Sequence, residues 1–178
     1  MRTKLFIYLL LAGLVISFKS VAQADKVYLH NGKVVTGSVV KVAEYTVIYK
    51  YEGEDAEQVA GKYAVHKIVY KSGREEVITD KVEVNGKDDW EKVVVLEDKS
   101  QIAGLNKVAE VKGKTALINY HTAATGDRKA LKRLKEETAS LGCAFVLITA
   151  EKETNYTGGG TKGWGNVQDQ KKGLAYKY

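Results

Sequence analysis

From Lys26 to Val84 apolar and polar positions alternate with a period of two, and Val, Ile, Thr and Tyr predominate. That pattern predicts half-buried strands. Tyr28 to His30 runs into Asn31-Gly32, a strong hairpin signal, and Lys33 to Val42 continues as a second strand with Gly37 in its interior. An interior glycine marks a bend or a bulge. Tyr45 to Tyr51 alternates again, with Tyr45, Val47, Tyr49 and Tyr51 on one face. Turns follow at Glu52 to Asp55 and Lys71 to Arg74, separated by a strand from Val65 to Tyr70, and Glu76 to Val84 closes the half before Asn85-Gly86. Five or six short strands in about 60 residues predict a small all-β barrel, because an open sheet of that size leaves two exposed edges.

The pattern changes after Asp88-Asp89. Trp90 to Leu96 reads as a strand, and Leu105 to Val111 and Thr115 to Tyr120 as two more, separated by a turn at Lys112-Gly113-Lys114. Asp127 is the expected cap of a helix running to about Leu141, with Ala130, Leu131, Leu134, Thr138 and Leu141 on one face and Gly142 terminating it. Lys132 with Glu136 and Arg133 with Glu137 fall on its outer face as solvated pairs. The apolar run Cys143 to Ala150 predicts a buried central strand. A polar loop then carries Gly158, Gly159, Gly160, Gly163 and Gly165 around Trp164, and Gly173 to Tyr178 returns as a last strand. The class is α+β: a barrel at 25–86, then at 88–178 a small α+β domain with one main helix packed on an antiparallel sheet.

The first 24 residues belong to neither half. Arg2 and Lys4 precede the apolar run Leu5 to Ile16, and small residues at Ala22 and Ala24 frame a cut before Asp25, the layout of a secretory signal peptide. That run reaches only about 18 Å, short of the roughly 30 Å hydrocarbon core, so no stable membrane anchor is expected. Removing Arg2, Lys4 and Lys19 from the 28 basic side chains leaves 25 against 22 acidic ones. The resulting net charge of about +3 argues against nucleic acid as a partner. Cys143 is the only cysteine, so no internal disulfide forms and no lipid-bearing cysteine lies at the cut. These features predict a bacterial protein, periplasmic or secreted.

The run Val27-Tyr28-Leu29-His30-Asn31-Gly32-Lys33-Val34-Val35-Thr36-Gly37-Ser38-Val39-Val40 resembles the first motif of Sm-like small barrels. The resemblance implies the barrel. Sm-like proteins bind RNA or assemble into rings, but their second motif, an Arg/Lys-Gly pair in a late strand, has only Lys71-Ser72-Gly73 as its nearest approximation here. The second half resembles small bacterial envelope domains that include the outer-membrane stress sensor of the Rcs phosphorelay. The residues that carry this are Ala109 to Gly113, Leu131-Lys132, Ala139 to Phe145, Val146 to Ile148 and Gly173 to Tyr176. That sensor is a disulfide-bonded lipoprotein, and this chain has neither the lipid cysteine nor a cysteine pair.

Cys143 with His121 or His66 is the one nucleophile–base pairing to consider, but a cysteine heading an apolar strand after a helix C-terminus reads as core. His30, His66, His121 and Cys143 lack metal-ligand spacing. No catalytic residue, cofactor or metal is assigned. The candidate binding residues are Trp164 in its glycine-rich loop with Lys162, Lys171 and Lys172 beside it, an aromatic anchor in a basic setting. The leading reading is a non-enzymatic protein that binds another envelope protein or a cell-surface component through that loop and the barrel edge. Its alternative is a binding module for an anionic polymer or glycan, followed by a cysteine-dependent enzyme.

Overall fold

At Asn31-Gly32 the chain reverses because Gly32 takes a φ of +85°, open to glycine, while the Asn31 side chain accepts the Lys33 N–H at 3.0 Å. The computed structural model describes residues 24–115, 123–156 and 166–178. Apart from Ala24, the predicted signal segment lies outside them, as do His121, most of the predicted strand Thr115 to Tyr120, and the predicted loop with Lys162 and Trp164.

The hairpin joins β1 (Asp25–Leu29) to β2 (Val34–Val42), and β3 (Thr46–Tyr51), β4 (Glu57–Gly61), β5 (Val65–Val69) and β6 (Glu75–Val77) complete an antiparallel sheet ordered β4-β3-β2-β1-β5-β6. A short 3₁₀ turn, η1 (Lys62–Ala64), links β4 to β5. Val27, Val35, Val47, Tyr49, Ala60, Val65 and Ile68 form its core. Burial lifts the Tyr49 phenol to about 12, with a hydrogen bond and charge from Tyr51 adding to it.

The expected closed barrel is corrected: no ladder joins β4 to β6, and the sheet is open. The last residue of β4 meets the second half instead, where the Gly61 N–H donates to the Ala103 carbonyl at 2.8 Å. Ala103 follows the 3₁₀ turn η3 (Lys99–Ile102), whose Gln101 backbone lies so close to Gly61 that a Cβ there would collide with it.

The second sheet has the order β7-β9-β10-β8, from β7 (Val94–Leu96), β8 (Asn106–Lys114), β9 (Phe145–Tyr156) and β10 (Asn166–Lys177). It is mixed, since β7 runs parallel to β9 while the other pairs are antiparallel. The apolar run from Cys143 does feed the central strand. The first three residues of the predicted strand from Trp90 belong to a 3₁₀ turn, η2 (Lys87–Lys92), where Asp89 accepts the Asn85 N–H at 2.9 Å and pairs with Lys92 at 2.8 Å, and only Val94 to Leu96 pair as strand. Such local bonds compete with ladder formation. The Trp90 ring lies under the Lys132 ammonium and packs on the second core.

The helix α1 (Ala123–Ser140) begins four residues before its expected cap. Asp127 is therefore interior. The C-terminus follows expectation: Gly142, at φ +64°, donates to Ala139 while Cys143 donates to Thr138, a Schellman ending. Ala130, Leu134 and Thr138 are buried, whereas Leu141 swings out with the terminating turn. The outer pair Arg133 and Glu137 does not remain merely solvated. Arg133 donates to the Lys114 carbonyl at 2.6 Å and Glu137 accepts the Lys112 N–H at 2.9 Å, so the helix satisfies the free edge of β8.

Candidate functional site

Of the four basic and aromatic residues singled out in the sequence, Lys162 and Trp164 lie outside the described residues and Lys172 is exposed on β10. Lys171 is different: only 5% of it is accessible. Its ammonium lies 2.6 Å from Asp127 and 2.8 Å from its cross-strand partner Glu151. Burial pulls the Lys171 pKa down, but the hydrogen bonds and charges of the two carboxylates outweigh it and hold the group above its ordinary value. Lys171 ties α1 to the sheet and is already engaged.

Cys143 is fully buried in the second core, with its Sγ 3.7 Å from the Leu141 carbonyl, and burial pushes its thiol up. A thiol so placed is a poor nucleophile. His66 lies instead against His30, ring centroids 5.3 Å apart. Among the described residues no three or more His, Cys, Asp or Glu side chains gather as a metal site, and no helix is long and apolar enough to cross a membrane.

The two histidines sit where the halves meet. The Tyr178 ring lies 4.9 Å from that of His30 and edge-on to Phe145, and its hydroxyl accepts the Val82 N–H at 2.9 Å. Tyr63 of η1 packs on Phe145 from the first half. Thr79 donates to the Val65 carbonyl at 2.8 Å, leaving its oxygen to accept from His30 Nε2 at 3.1 Å, which assigns the proton of the neutral ring to Nε2. Burial, then His66 and Lys81, lower the His30 pKa from 6.5 against the opposing effects of Thr79 and Asp80. The unfolded chain therefore takes up a proton near pH 6.5 that the folded chain refuses until lower pH, so His30 costs stability as pH falls through that window. Urea midpoints taken from roughly pH 7.5 to pH 5 should fall in the wild type and fall less in His30→Asn. Equal slopes in the two proteins would show that His30 does not carry the effect.

The surface most suited to contact is the outer face of the six-stranded sheet. Residues facing one another across antiparallel strands share a face, so the registers place Val34, Tyr28, Lys67 and Val77 in one row across β2, β1, β5 and β6. Lys41, Ile48 and Val59 form a second row across β2, β3 and β4. Seven large apolar side chains are exposed among the described residues, and Val34, Val40, Tyr51, Val59 and Val77 belong to this sheet. The cation within the first row is neutralised: Lys67 pairs with Glu75 at 3.0 Å and lies over the Tyr28 ring. The aromatic and basic residues that stand out in the sequence lie in the second half, whereas these valines lie in the first. Their signal was there, since Val34 and Val77 fall on the polar phase of the alternation, where a soluble strand carries a hydrophilic residue. Comparisons with known protein families, with curated proteins and with solved structures give no match.

Proposed function

We propose that this is an exported, non-enzymatic protein of the bacterial envelope, periplasmic or secreted, that binds another protein through the outer face of its six-stranded sheet. The observation that carries the reading is the exposure of Val34 at 50% and Val77 at 62% in one register row with Tyr28, an apolar strip whose central charge is already paired. Such strips on soluble proteins mark contact surfaces. The signal-like start supports export, and Trp164 with Lys162 and Lys172 stands as a second contact proposed from the sequence. The Sm-like and Rcs-related resemblances are kept as proposals about architecture, since one fold hosts many tasks.

Crosslinking the tagged protein in its native envelope tests this, with a Val34→Ser/Val77→Ser variant beside the wild type. Both side chains are exposed, so the variant should keep its stability within about 0.5 kcal/mol. One dominant protein captured by the wild type and reduced about tenfold in the variant, at an occupancy that added salt barely changes, is the expected result. The same captured set in both proteins would overturn the proposal.

A further inference from the structure

Where the two halves meet they form a cavity of about 230 Å³. Glu44 and Tyr45, in the turn between β2 and β3, line it from the first half with Lys62 and Tyr63 of η1, and Val95 of β7, Glu97 just beyond it and Gln101 of η3 line it from the second. Thr79 lines it too, but its hydroxyl is already engaged by the Val65 carbonyl and His30. Ligand pockets run from about 300 Å³ upward, so this space takes the end of a chain rather than a whole drug-sized molecule.

The polar groups on its wall decide which end. The Tyr45 hydroxyl donates to Glu97 Oε2 at 3.2 Å. The charge of Glu44, then that hydrogen bond, hold the phenol above its ordinary pKa, so both carboxylates stand beside one hydroxyl. Among the described residues neither carboxylate has a cation within ion-pair distance. Gln101 is 6% exposed and its backbone packs on Gly61, so it lines the cavity with its side chain. Its Oε1 accepts the N–H groups of Glu97 at 2.7 Å and Asp98 at 2.9 Å, which identifies the other arm of the carboxamide as the NH₂. That NH₂ has no acceptor among the described residues, and a buried donor is rarely left so.

The cavity thus sets two negative charges beside a free donor. A bare metal ion would satisfy the carboxylates and repel the NH₂, and an anion would do the reverse. An ammonium one carbon away from a carbonyl satisfies both. We propose that the cavity binds the amino terminus of a peptide: the α-ammonium lies between Glu44 and Glu97, the first carbonyl accepts from the Gln101 NH₂, and the first side chain rests against Tyr63 and Val95. The charge-assisted bonds to the ammonium supply most of the affinity, and the NH₂ sets the direction of the peptide. This site is separate from the outer sheet face and does not depend on it.

NMR titration of the ¹⁵N-labelled protein with trialanine tests the site, because the Gln101 NH₂ gives signals of its own. Trialanine should shift them, and N-acetyltrialanine, which lacks the ammonium, should not. Propylamine, an ammonium without the carbonyl, should bind about tenfold more weakly than trialanine. Glu44→Gln/Glu97→Gln, at two exposed positions, should weaken trialanine binding about tenfold or more. Glu52→Gln/Glu54→Gln, the same charge change in the turn between β3 and β4, should bind as the wild type does, and so should Lys62→Gln. The proposal is overturned by unmoved Gln101 signals at millimolar trialanine, by equal binding of the acetylated peptide, by equal weakening in both double variants, or by loss of binding in Lys62→Gln, which would make the bound group a carboxylate.

Discussion

Gly113→Ala is expected to destabilise the protein by about 3 kcal/mol and lower its melting temperature by about 10 °C, although the substitution adds one methyl group to a strand. Gly113 lies directly under α1. A Cβ built there falls inside the contact distance of the Ala130 carbonyl oxygen and 2.6 Å from the Leu134 nitrogen. Both obstacles are backbone atoms of a helix that also packs on β10 and η2, so no rotamer change relieves the collision and the helix must lift from the sheet. Lifting strains what the contact holds: Lys171 is the register partner of Gly113, and Asp127 reaches its ammonium only while the helix stays close. Because the clash is with backbone, Ala130→Gly in the same chain should not restore stability. Thermal melts of the wild type and the two variants decide it, and a Gly113→Ala protein within about 0.5 kcal/mol of the wild type would mean that helix and sheet are not in this contact.

The same glycine shows why part of the fold could be read in the sequence and part could not. Lys112-Gly113-Lys114 looks like a turn, yet β8 runs straight through it, because a glycine between lysines carries one local signal whether the chain reverses there or a helix crosses it. The deciding atoms belong to Ala130, far along the chain. Features settled by neighbours were readable: Gly32, Gly53 and Gly73 all take positive φ in the turns expected of them, Gly142 ends the helix, and the apolar run after Cys143 is central. Features settled by distant partners were not. Nothing within β4 announces that its last residue will bond to Ala103, and nothing near Asp127 says that its carboxylate serves Lys171 rather than a helix N-terminus. The candidate sites divide in the same way. Lys171 and Lys172 are adjacent and chemically alike, but strand alternation buries one and exposes the other. The ion pair of Lys87 with Glu136 required knowing that η2 and α1 meet.

Asp25→Ala should cost about 3 kcal/mol, from a residue that the sequence alone marks only as the first after the expected cut. The residue is 8% exposed, and its two carboxylate oxygens accept different backbone groups, the Val39 N–H on Oδ2 and the Lys71 N–H on Oδ1, each at 2.8 Å. Val39 lies where β2 slips its register against β3, so its N–H needs an acceptor from outside the ladder, and Lys71 opens the turn between β5 and β6. One side chain on β1 thus fixes the bend on one side and the turn on the other. Alanine leaves two half-buried donors without a partner, and the loss follows from their desolvation as much as from the bonds themselves. Asparagine keeps one acceptor and sets its NH₂ against the other N–H, so Asp25→Asn should recover about half of the loss. Urea denaturation at neutral pH gives the order wild type, Asp25→Asn, Asp25→Ala. A chain that started one residue later would show the alanine behaviour, so N-terminal sequencing of the protein isolated from its host belongs with the urea curve: a start at or before Asp25 agrees with the role assigned to its carboxylate, whereas a later start with full stability would remove that role.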